Sequence, residues 1–148
     1  MSVSLKAKTE IKVRFNEVDS LRIVWHGHYL KYLEEAREAF GQKYEMGYMD
    51  VERNGFVTPI VKVDIDYKQQ LNYGDSCVIE IEYIDTAAAK LVFKYTLYRK
   101  KDMVVVAKAR TIQVFLDAKT RELSLNHPDF GLAWKQKWGL INDGESQK

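Results

Sequence analysis

The sequence contains a single cysteine, Cys77, so no disulfide bond can form within the chain. Because Cys77 stands in a strand-like stretch, a packed thiol is expected there rather than a catalytic one. Residues 1–10 have no apolar stretch of the kind that a signal peptide needs. No apolar run approaches the roughly 20 residues that span a bilayer. These absences predict a cytoplasmic protein with no membrane partner.

Neither sign of charge dominates, because 23 basic residues face 21 acidic ones and leave a net charge of +2. Such a balance does not indicate nucleic acid or a membrane surface as a partner. Hydrophobic residues make up 46% of the chain and charged residues 30%, which is typical of a folded globular protein. We therefore expect one domain over residues 1–148, with its core at about residues 8–117 and a C-terminal extension over residues 118–148.

Alternating apolar residues predict a half-buried strand over residues 10–15, with Ile11, Val13 and Phe15 on one face. The period then changes to three and four, which predicts an amphipathic helix of about 18 residues. Gly47 is well placed to end this helix. The apolar side of the helix is formed by Leu30, Leu33, Arg37, Phe40 and Tyr44.

After a loop, four further segments between residues 61 and 116 alternate with period two and are predicted to be strands. Short turns separate them, so consecutive strands should pair as antiparallel hairpins. A single amphipathic helix needs a sheet to cover its apolar side, so the order predicts an α+β fold with the sheet around the helix. Residues 127–138 are interpreted as a short surface helix, and the tail from Asn142 as a frayed end.

The candidate chemistry lies between the first strand and the helix. Asp19 ends a polar turn that leaves the strand, and seven residues later His26 and Gly27 open the helix. A helix start carries unsatisfied backbone N–H groups and a partial positive charge, so it can polarise a carbonyl oxygen. A carboxylate held nearby can attack that carbonyl or activate water against it. The alternative is that Asp19 serves only as a cap or turn residue.

Residues 14–37 read RFNEVDSLRIVWHGHYLKYLEEAR. Within this run, Asp19 together with residues 23–30 and 34–37 resembles the signature of the 4-hydroxybenzoyl-CoA thioesterase-like hotdog family. That family is also called the acyl-CoA thioesterase family of the tol-pal cluster type. The resemblance spans about residues 11–116. It implies the hotdog fold, in which an antiparallel sheet wraps around one long central helix.

The resemblance also implies a role for several residues. Asp19 would be the catalytic carboxylate, acting as nucleophile or general base. The backbone N–H groups around His26 would polarise the thioester carbonyl, and the His26 side chain would assist positioning. Trp25, Gly27 and Tyr29 are expected at the substrate-binding site, the alternative being that the aromatic residues belong to the core. Family members pair their sheets edge to edge with sites at the interface, so a homodimer or homotetramer is expected.

Arg22 is a departure from the family, which usually has glycine at this position. A glycine would let the backbone approach the substrate closely, whereas Arg22 adds a long cation beside the site. Arg22 is therefore a candidate substrate-binding residue that could pair with Asp19 or contact an acidic acyl group or a phosphate. The alternative is that it points to solvent. The basic turn at residues 99–101 is a second candidate for the coenzyme A phosphates, against a solvated turn.

No metal and no cofactor other than the coenzyme A of the substrate is expected. His26 and His28 stand two residues apart, a spacing that makes poor partners on a helix. The predicted function is hydrolysis of acyl-CoA thioesters to the free acid and coenzyme A. Two rivals are a hotdog acyl-CoA hydratase or dehydratase, and a non-catalytic hotdog protein that binds acyl-CoA or serves as a scaffold.

Overall fold

A computed structural model describes residues 3–141 and places one long helix against an antiparallel sheet. The helices are α1 (Tyr29–Tyr44), α2 (Tyr48–Arg53) and α3 (Asp129–Lys137). The strands are β1 (Lys6–Lys12), β2 (Phe56–Val57), β3 (Ile60–Tyr67), β4 (Ser76–Ile84), β5 (Lys90–Arg99), β6 (Val104–Val114) and β7 (Leu116–Asp117). Five strands form the main sheet in the order β1-β4-β5-β6-β3, and β2 pairs with β7. The predicted α+β class is confirmed.

The helix α1 buries one side against β1 and β4. Its buried side chains are Tyr29, Tyr32, Leu33, Ala36, Phe40 and Tyr44. The small Ala36 side chain is fully buried, which is how the sheet comes close to the helix axis. Leu30, which the periodicity places on the apolar side, is instead exposed. The buried side begins at Tyr29, and Leu30 lies about 100° around the helix from it.

The end of α1 differs from the prediction that Gly47 terminates it. Glu45 ends the helix in the left-handed conformation, with φ +60°, and its N–H donates to the carbonyl of Gly41. Gly47 instead precedes α2, where its N–H donates to the Asp50 carboxylate at 2.8 Å. A Cβ on Gly41 would stand 2.6 Å from the Gly47 Cα, so the two glycines allow close contact between α1 and the start of α2.

The first strand begins and ends earlier than residues 10–15. It spans Lys6–Lys12, after which the N–H of Val13 donates to the carbonyl of Asp75. Val13 is buried, as its position in the pattern requires. Phe15 is exposed, because the chain has left the sheet and turns through a 3₁₀ helix at Phe15–Glu17. The alternation was therefore a reliable guide to burial only as far as the strand extends.

The strand β3 has the sequence pattern of a half-buried strand but is an exposed edge of the sheet. Its only partner in the described part of the chain is β6. Val61, Val63 and Tyr67, which share a face, are 59%, 36% and 49% exposed. The neighbouring Ile65 is partly covered by the core. The predicted strand is present, but within residues 3–141 this face is only partly covered, by the core at Ile65 and by the Tyr29 ring against Tyr67.

The C-terminal helix α3 packs more deeply than a surface helix. The Trp134 side chain is 7% exposed, belongs to the main core and donates its Nε1–H to the carbonyl of Tyr44. Lys135 is buried and pairs with the Asp85 carboxylate at 2.9 Å. The tail from Asn142 lies outside the described residues. Within residues 3–141, no helix has the length and apolar character needed to cross a membrane.

Candidate active site

The loop between β1 and α1 contains a short antiparallel hairpin. Val18 bridges to Val24, and the N–H of Asp19 donates to the carbonyl of Ile23 at 2.9 Å. The N–H of Arg22 donates to the carbonyl of Asp19 at 2.9 Å and closes a four-residue turn, so the hairpin loop between Asp19 and Ile23 has three residues. Such a loop is commonly a type I turn followed by one residue in the left-handed conformation. Here that residue is Arg22, with φ +65°.

Asp19 occupies the first position of this turn. Its Oδ1 accepts the N–H of Leu21 at 2.8 Å, which is the turn role proposed as the alternative to catalysis. Its Oδ2 has no hydrogen-bond or ion-pair partner within residues 3–141. The carboxylate is partly exposed. The turn therefore fixes the orientation of the carboxylate and leaves one oxygen available to a substrate or a water molecule.

The conformation of Arg22 explains why glycine suits this position. A left-handed φ costs an ordinary residue about 1–2 kcal/mol, whereas glycine adopts it without a steric penalty. The left-handed backbone conformation is a second reason for glycine at this position, beside the close approach to a substrate that the sequence analysis proposed. The Arg22 side chain is exposed and forms no ion pair with Asp19. This is the solvent-facing placement that was the alternative.

A buried carboxylate, Glu17, holds the loop against the helix. Glu17 Oε1 accepts the backbone N–H of Arg14 at 2.8 Å and the hydroxyl of Tyr32 at 3.0 Å. Its Oε2 lies 3.8 Å from Lys31 Nζ. Burial raises the pKa of the Tyr32 hydroxyl above its usual range, and the nearby Glu17 charge adds to the effect. The sequence analysis missed Glu17, although its place two residues before Asp19 was a signal that it shares the same loop.

The start of α1 is preceded by a 3₁₀ turn over His26–His28. The N–H of His28 donates to the carbonyl of Trp25 at 2.9 Å, while those of His26 and Gly27 have no acceptor among the described residues. The carbonyl of His26 accepts the hydroxyl of Tyr67 at 3.0 Å. Two adjacent backbone donors are thus held at the helix start, next to the exposed His26 side chain.

The aromatic residues at the helix start differ in exposure. Trp25 is 50% exposed, and its indole lies directly over Gly27, where an added Cβ would come within 2.1 Å of the ring. Tyr29 is buried between the rings of Tyr32 and Tyr67. Burial raises the pKa of the Tyr29 hydroxyl to about 12. Tyr29 thus lies in the core, as its alternative interpretation had it, whereas Trp25 and Gly27 lie together at the surface.

The backbone connects these two parts of the candidate site. The N–H of Trp25 donates to the carbonyl of Glu17 at 3.1 Å, so the Asp19 hairpin closes directly onto the helix start. The hairpin is also held from the other side, because the N–H of Tyr73 donates to the carbonyl of Arg22 at 3.2 Å. The structure therefore brings Asp19, Arg22, Trp25, His26 and Gly27 into one loop cluster.

A cavity of about 980 Å³ lies elsewhere on the same helix. It is formed by the middle of α1, by α2 and by the sheet residues Leu91, Phe93 and Gln113. None of the site residues predicted from the sequence lines it. Sequence reasoning missed this cavity because its walls come from segments that are distant in the chain.

The basic turn after β5 is occupied by local ion pairs. Arg99 pairs with Asp102 at 2.8 Å, Lys100 with Glu10 at 2.9 Å, and Lys101 lies 3.7 Å from the carboxylate of Asp75. These contacts favour the solvated-turn interpretation over a phosphate site. In the described part of the chain, no group of three or more His, Cys, Asp and Glu side chains is placed to hold a metal ion.

The comparisons with known proteins cover most of the chain. A family model described as the thioesterase-like superfamily matches residues 13–134. The putative acyl-CoA thioesterase YneP of Bacillus subtilis is 32% identical over 114 residues, which is 77% of this chain and 82% of that protein. The 1,4-dihydroxy-2-naphthoyl-CoA hydrolase of Synechococcus elongatus is 30% identical over 116 residues, covering 76% of this chain and 82% of that protein.

The fold is also that of a solved thioesterase. The DHNA-CoA thioesterase of Staphylococcus aureus superposes with a TM-score of 0.80 at 23% identity, over 94% of this chain and 95% of that chain. This likeness confirms the predicted hotdog fold, and the relatives confirm the predicted enzyme class, a thioester hydrolase. Since the family model covers most of the sequence, including Asp19 and the helix start, the chain belongs to the thioesterase-like superfamily.

Proposed function

We propose that this protein hydrolyses acyl-CoA thioesters to the free acid and coenzyme A, with Asp19 as the catalytic carboxylate. One observation carries the proposal: a single loop holds Asp19 with one oxygen that has no partner in residues 3–141, and the same loop leads to a helix start whose two N–H donors have no acceptor there. A carboxylate and an oxyanion-binding helix start are the two parts that attack on a thioester carbonyl requires.

In this mechanism the thioester carbonyl oxygen accepts the N–H groups of His26 and Gly27. These donors stabilise the negative charge that develops on the oxygen. Asp19 Oδ2 then either attacks the carbonyl carbon, giving a mixed anhydride that water hydrolyses, or removes a proton from an attacking water. In both routes the C–S bond breaks and coenzyme A leaves as its thiolate. The exposed His26 and Trp25 side chains position the thioester, and no metal or further cofactor takes part.

The active form is proposed to be a homodimer, or a tetramer built from it, in the cytoplasm. β3 exposes both its backbone edge and the apolar face of Val61, Val63 and Tyr67, and an exposed strand edge readily pairs with another chain. Tyr67 also contacts His26, so pairing along β3 would bring a partner subunit to the helix start. Light scattering checks this, and a fully active monomer would contradict it.

The test of Asp19 exploits its two roles. Asp19→Asn keeps an oxygen that can accept the Leu21 N–H but removes the charge, so the turn survives and the chemistry does not. Asp117→Asn is a matched control, because Asp117 Oδ1 also accepts a backbone N–H two residues on, from Lys119 at 2.9 Å. We expect Asp19→Asn to lower kcat by about 100-fold or more, and Asp117→Asn to leave it unchanged.

The assay follows thiol release from short, long and aromatic acyl-CoAs. Equal activity of Asp19→Asn and the wild type would disprove the catalytic role and leave the turn role. Tight binding of coenzyme A with no turnover of any substrate would instead favour a non-catalytic acyl-CoA-binding protein. A trapped acyl-enzyme in a rapid-quench experiment would identify Asp19 as nucleophile rather than base.

A further inference from the structure

The cavity beside α1 has a mixed lining of apolar, polar and charged residues, and the part formed by Arg37 and Gln113 is called its polar wall. Gln113 lines it from β6, and its Nε2 donates to the carbonyl of Thr58 at 2.7 Å. Its Oε1 is buried and has no hydrogen-bond partner among the described residues. A buried acceptor without a donor costs roughly 1–3 kcal/mol. Such an atom in a cavity wall is a place where a ligand can supply the missing donor.

Arg37 lines the same cavity from α1. Its Nη1 donates to the hydroxyl of Tyr95 at 3.2 Å, and that hydroxyl is 2.7 Å from Thr111 Oγ1. Arg37 has no carboxylate within ion-pair distance in residues 3–141, and a guanidinium carries five N–H donors. Thr111 and Gln113 lie two residues apart on β6, or about 7 Å. The cavity lining therefore contains both the cationic donors of Arg37 and the unsatisfied acceptor of Gln113.

The apolar remainder of the cavity suits a hydrocarbon. Leu91 and Phe93 line it from the sheet, and Val57 and Leu116 line its far side. A volume of about 980 Å³ is within the range of ligand pockets. Leu91 is the direct neighbour of Gln113 in the β5–β6 pairing, so an acyl group lying on this wall meets the Gln113 amide beside it.

We propose that this cavity holds the distal part of the acyl group and that Gln113, with Arg37, selects acyl groups bearing a hydroxyl at that end. The hydroxyl hydrogen donates to Gln113 Oε1, and its oxygen accepts from Arg37. The carboxylates of Glu34, Glu38 and Asp50 outnumber the cations of Arg37 and Arg121 in the lining, which disfavours an acyl group ending in a second carboxylate. The inference rests on the proposed thioesterase function, because the ligand is defined as part of an acyl thioester.

The position of the cavity sets the length of the acyl group. Arg37 follows His26 by 11 residues in the sequence. That corresponds to about 16 Å at the rise of an α-helix, the span of an extended medium-chain acyl group. An acyl group anchored by its carbonyl at the helix start would reach the polar wall with its far end. Hydroxyl selection should therefore depend on chain length.

The experiment uses matched pairs of straight-chain acyl-CoAs from butyryl to hexadecanoyl, each with and without a terminal hydroxyl. For the wild type we expect a kcat/KM ratio of about 10- to 100-fold in favour of the hydroxylated member at one medium chain length. Gln113→Met should reduce that ratio to near one while it retains hydrolysis of the unsubstituted substrate. Arg37→Met should lower the ratio as a second, independent variant. Gln42→Met changes another glutamine of the same cavity and should leave the ratio unaltered.

Three outcomes would overturn the inference. The wild type could show no hydroxyl preference at any chain length, or it could prefer chains ending in a carboxylate. Gln113→Met could also lower kcat/KM for the hydroxylated and unsubstituted substrates by the same factor. If no thioester is hydrolysed, the proposed function fails while the cavity is still testable. Calorimetry with the free fatty acids and their terminal hydroxy derivatives then replaces kinetics. Tighter binding of the hydroxy acids to the wild type, lost in Gln113→Met, would support the site, and equal binding would reject it.

Discussion

Exposed side chains flank the first turn of α1, whereas the last turns of the helix pack against aromatic rings. Trp25, His26 and Leu30 are all exposed at the first end. At the other end, the Phe40 ring contacts Tyr44, Phe93 and Trp134. One helix therefore serves two purposes, because the packed end can stabilise the fold while the other keeps backbone donors available. Changes at the two ends should separate activity from stability.

The largest effect is expected at the packed end. Trp134→Ala removes a buried indole and the donor to the Tyr44 carbonyl, so it should lower the free energy of unfolding by about 3–5 kcal/mol. The activity per folded molecule should stay within a factor of about three, since substitutions at distant sites usually have independent effects. Urea unfolding monitored by circular dichroism measures the first quantity, and initial rates below the unfolding transition measure the second.

Trp138→Ala is the control, because Trp138 lies four residues after Trp134 in the sequence. Trp138 is only partly buried, and its Nε1 lacks a partner in residues 3–141. Trp138→Ala should therefore lower the free energy of unfolding clearly less than Trp134→Ala does. A Trp134→Ala protein that keeps its stability but loses its activity would reverse the contrast between the two ends.

The next effect concerns the helix start, where Gly27→Ala should lower kcat/KM by about 10- to 100-fold, the scale of a displaced positioning group. The added Cβ would come within 2.1 Å of the Trp25 indole, so the indole must move away from the backbone donors. Stability should change by less than about 1 kcal/mol, because Gly27 and Trp25 lie at the surface.

A double-mutant cycle separates the indole from other causes. If Gly27→Ala acts through the displaced ring, it should have no further effect on kcat/KM in a Trp25→Ala background. Additive losses from the two substitutions would show that the methyl group interferes with the N–H donors directly.

The third prediction concerns how the free energy of unfolding depends on pH through His127. His127 has both ring nitrogens buried without a partner, and burial together with the Lys135 charge lowers its pKa from 6.5 to about 4. The unfolded chain therefore binds a proton between these values while the folded chain does not. The stability gained from the neutral ring is complete above about pH 6.5 and is lost as the pH falls towards 4.

The expected loss is about 2 kcal/mol, less than the full shift implies because the ring is not fully enclosed. Urea unfolding at pH 7.5 and pH 4.5 measures it. His127→Leu serves as the control, because leucine fills the same site but cannot bind a proton. An identical pH dependence in the variant would assign the effect to another group.

The features that could be predicted from the sequence are those that depend on residues close together in the chain. Asp19 and the helix start lie within eight residues of each other, so a single short loop had to bring them together. The apolar period of α1 likewise required one covering sheet. The position of Arg22 was flagged from the family resemblance, and the structure supplied the physical reason in its left-handed φ.

The remaining features depend on contacts between distant segments. Gln113 and Arg37 are 76 positions apart, and only the folded sheet places them on one cavity. β3 and β4 share the same alternation, yet β4 lies between two strands and buries Cys77, Ile79 and Ile81, whereas β3 lies at an edge. A period of two predicts that a face can be buried, and the strand order decides whether the same chain buries it.

The smallest expected effect tests whether Arg22 contributes its charge or only a strained backbone. Arg22→Gly relieves a left-handed φ of +65° but makes the unfolded chain more flexible, so the free energy of unfolding should rise by only about 0.5–1 kcal/mol. Arg22→Gln removes the cation but keeps the strain, and should leave stability unchanged. If the guanidinium binds substrate, both variants raise KM, whereas an unchanged KM in both variants shows that the side chain points to solvent during turnover as well. Only Arg22→Gly relieves the strained φ. A fall in kcat in this variant alone would therefore mean that the strained turn holds the Asp19 carboxylate in its reactive position.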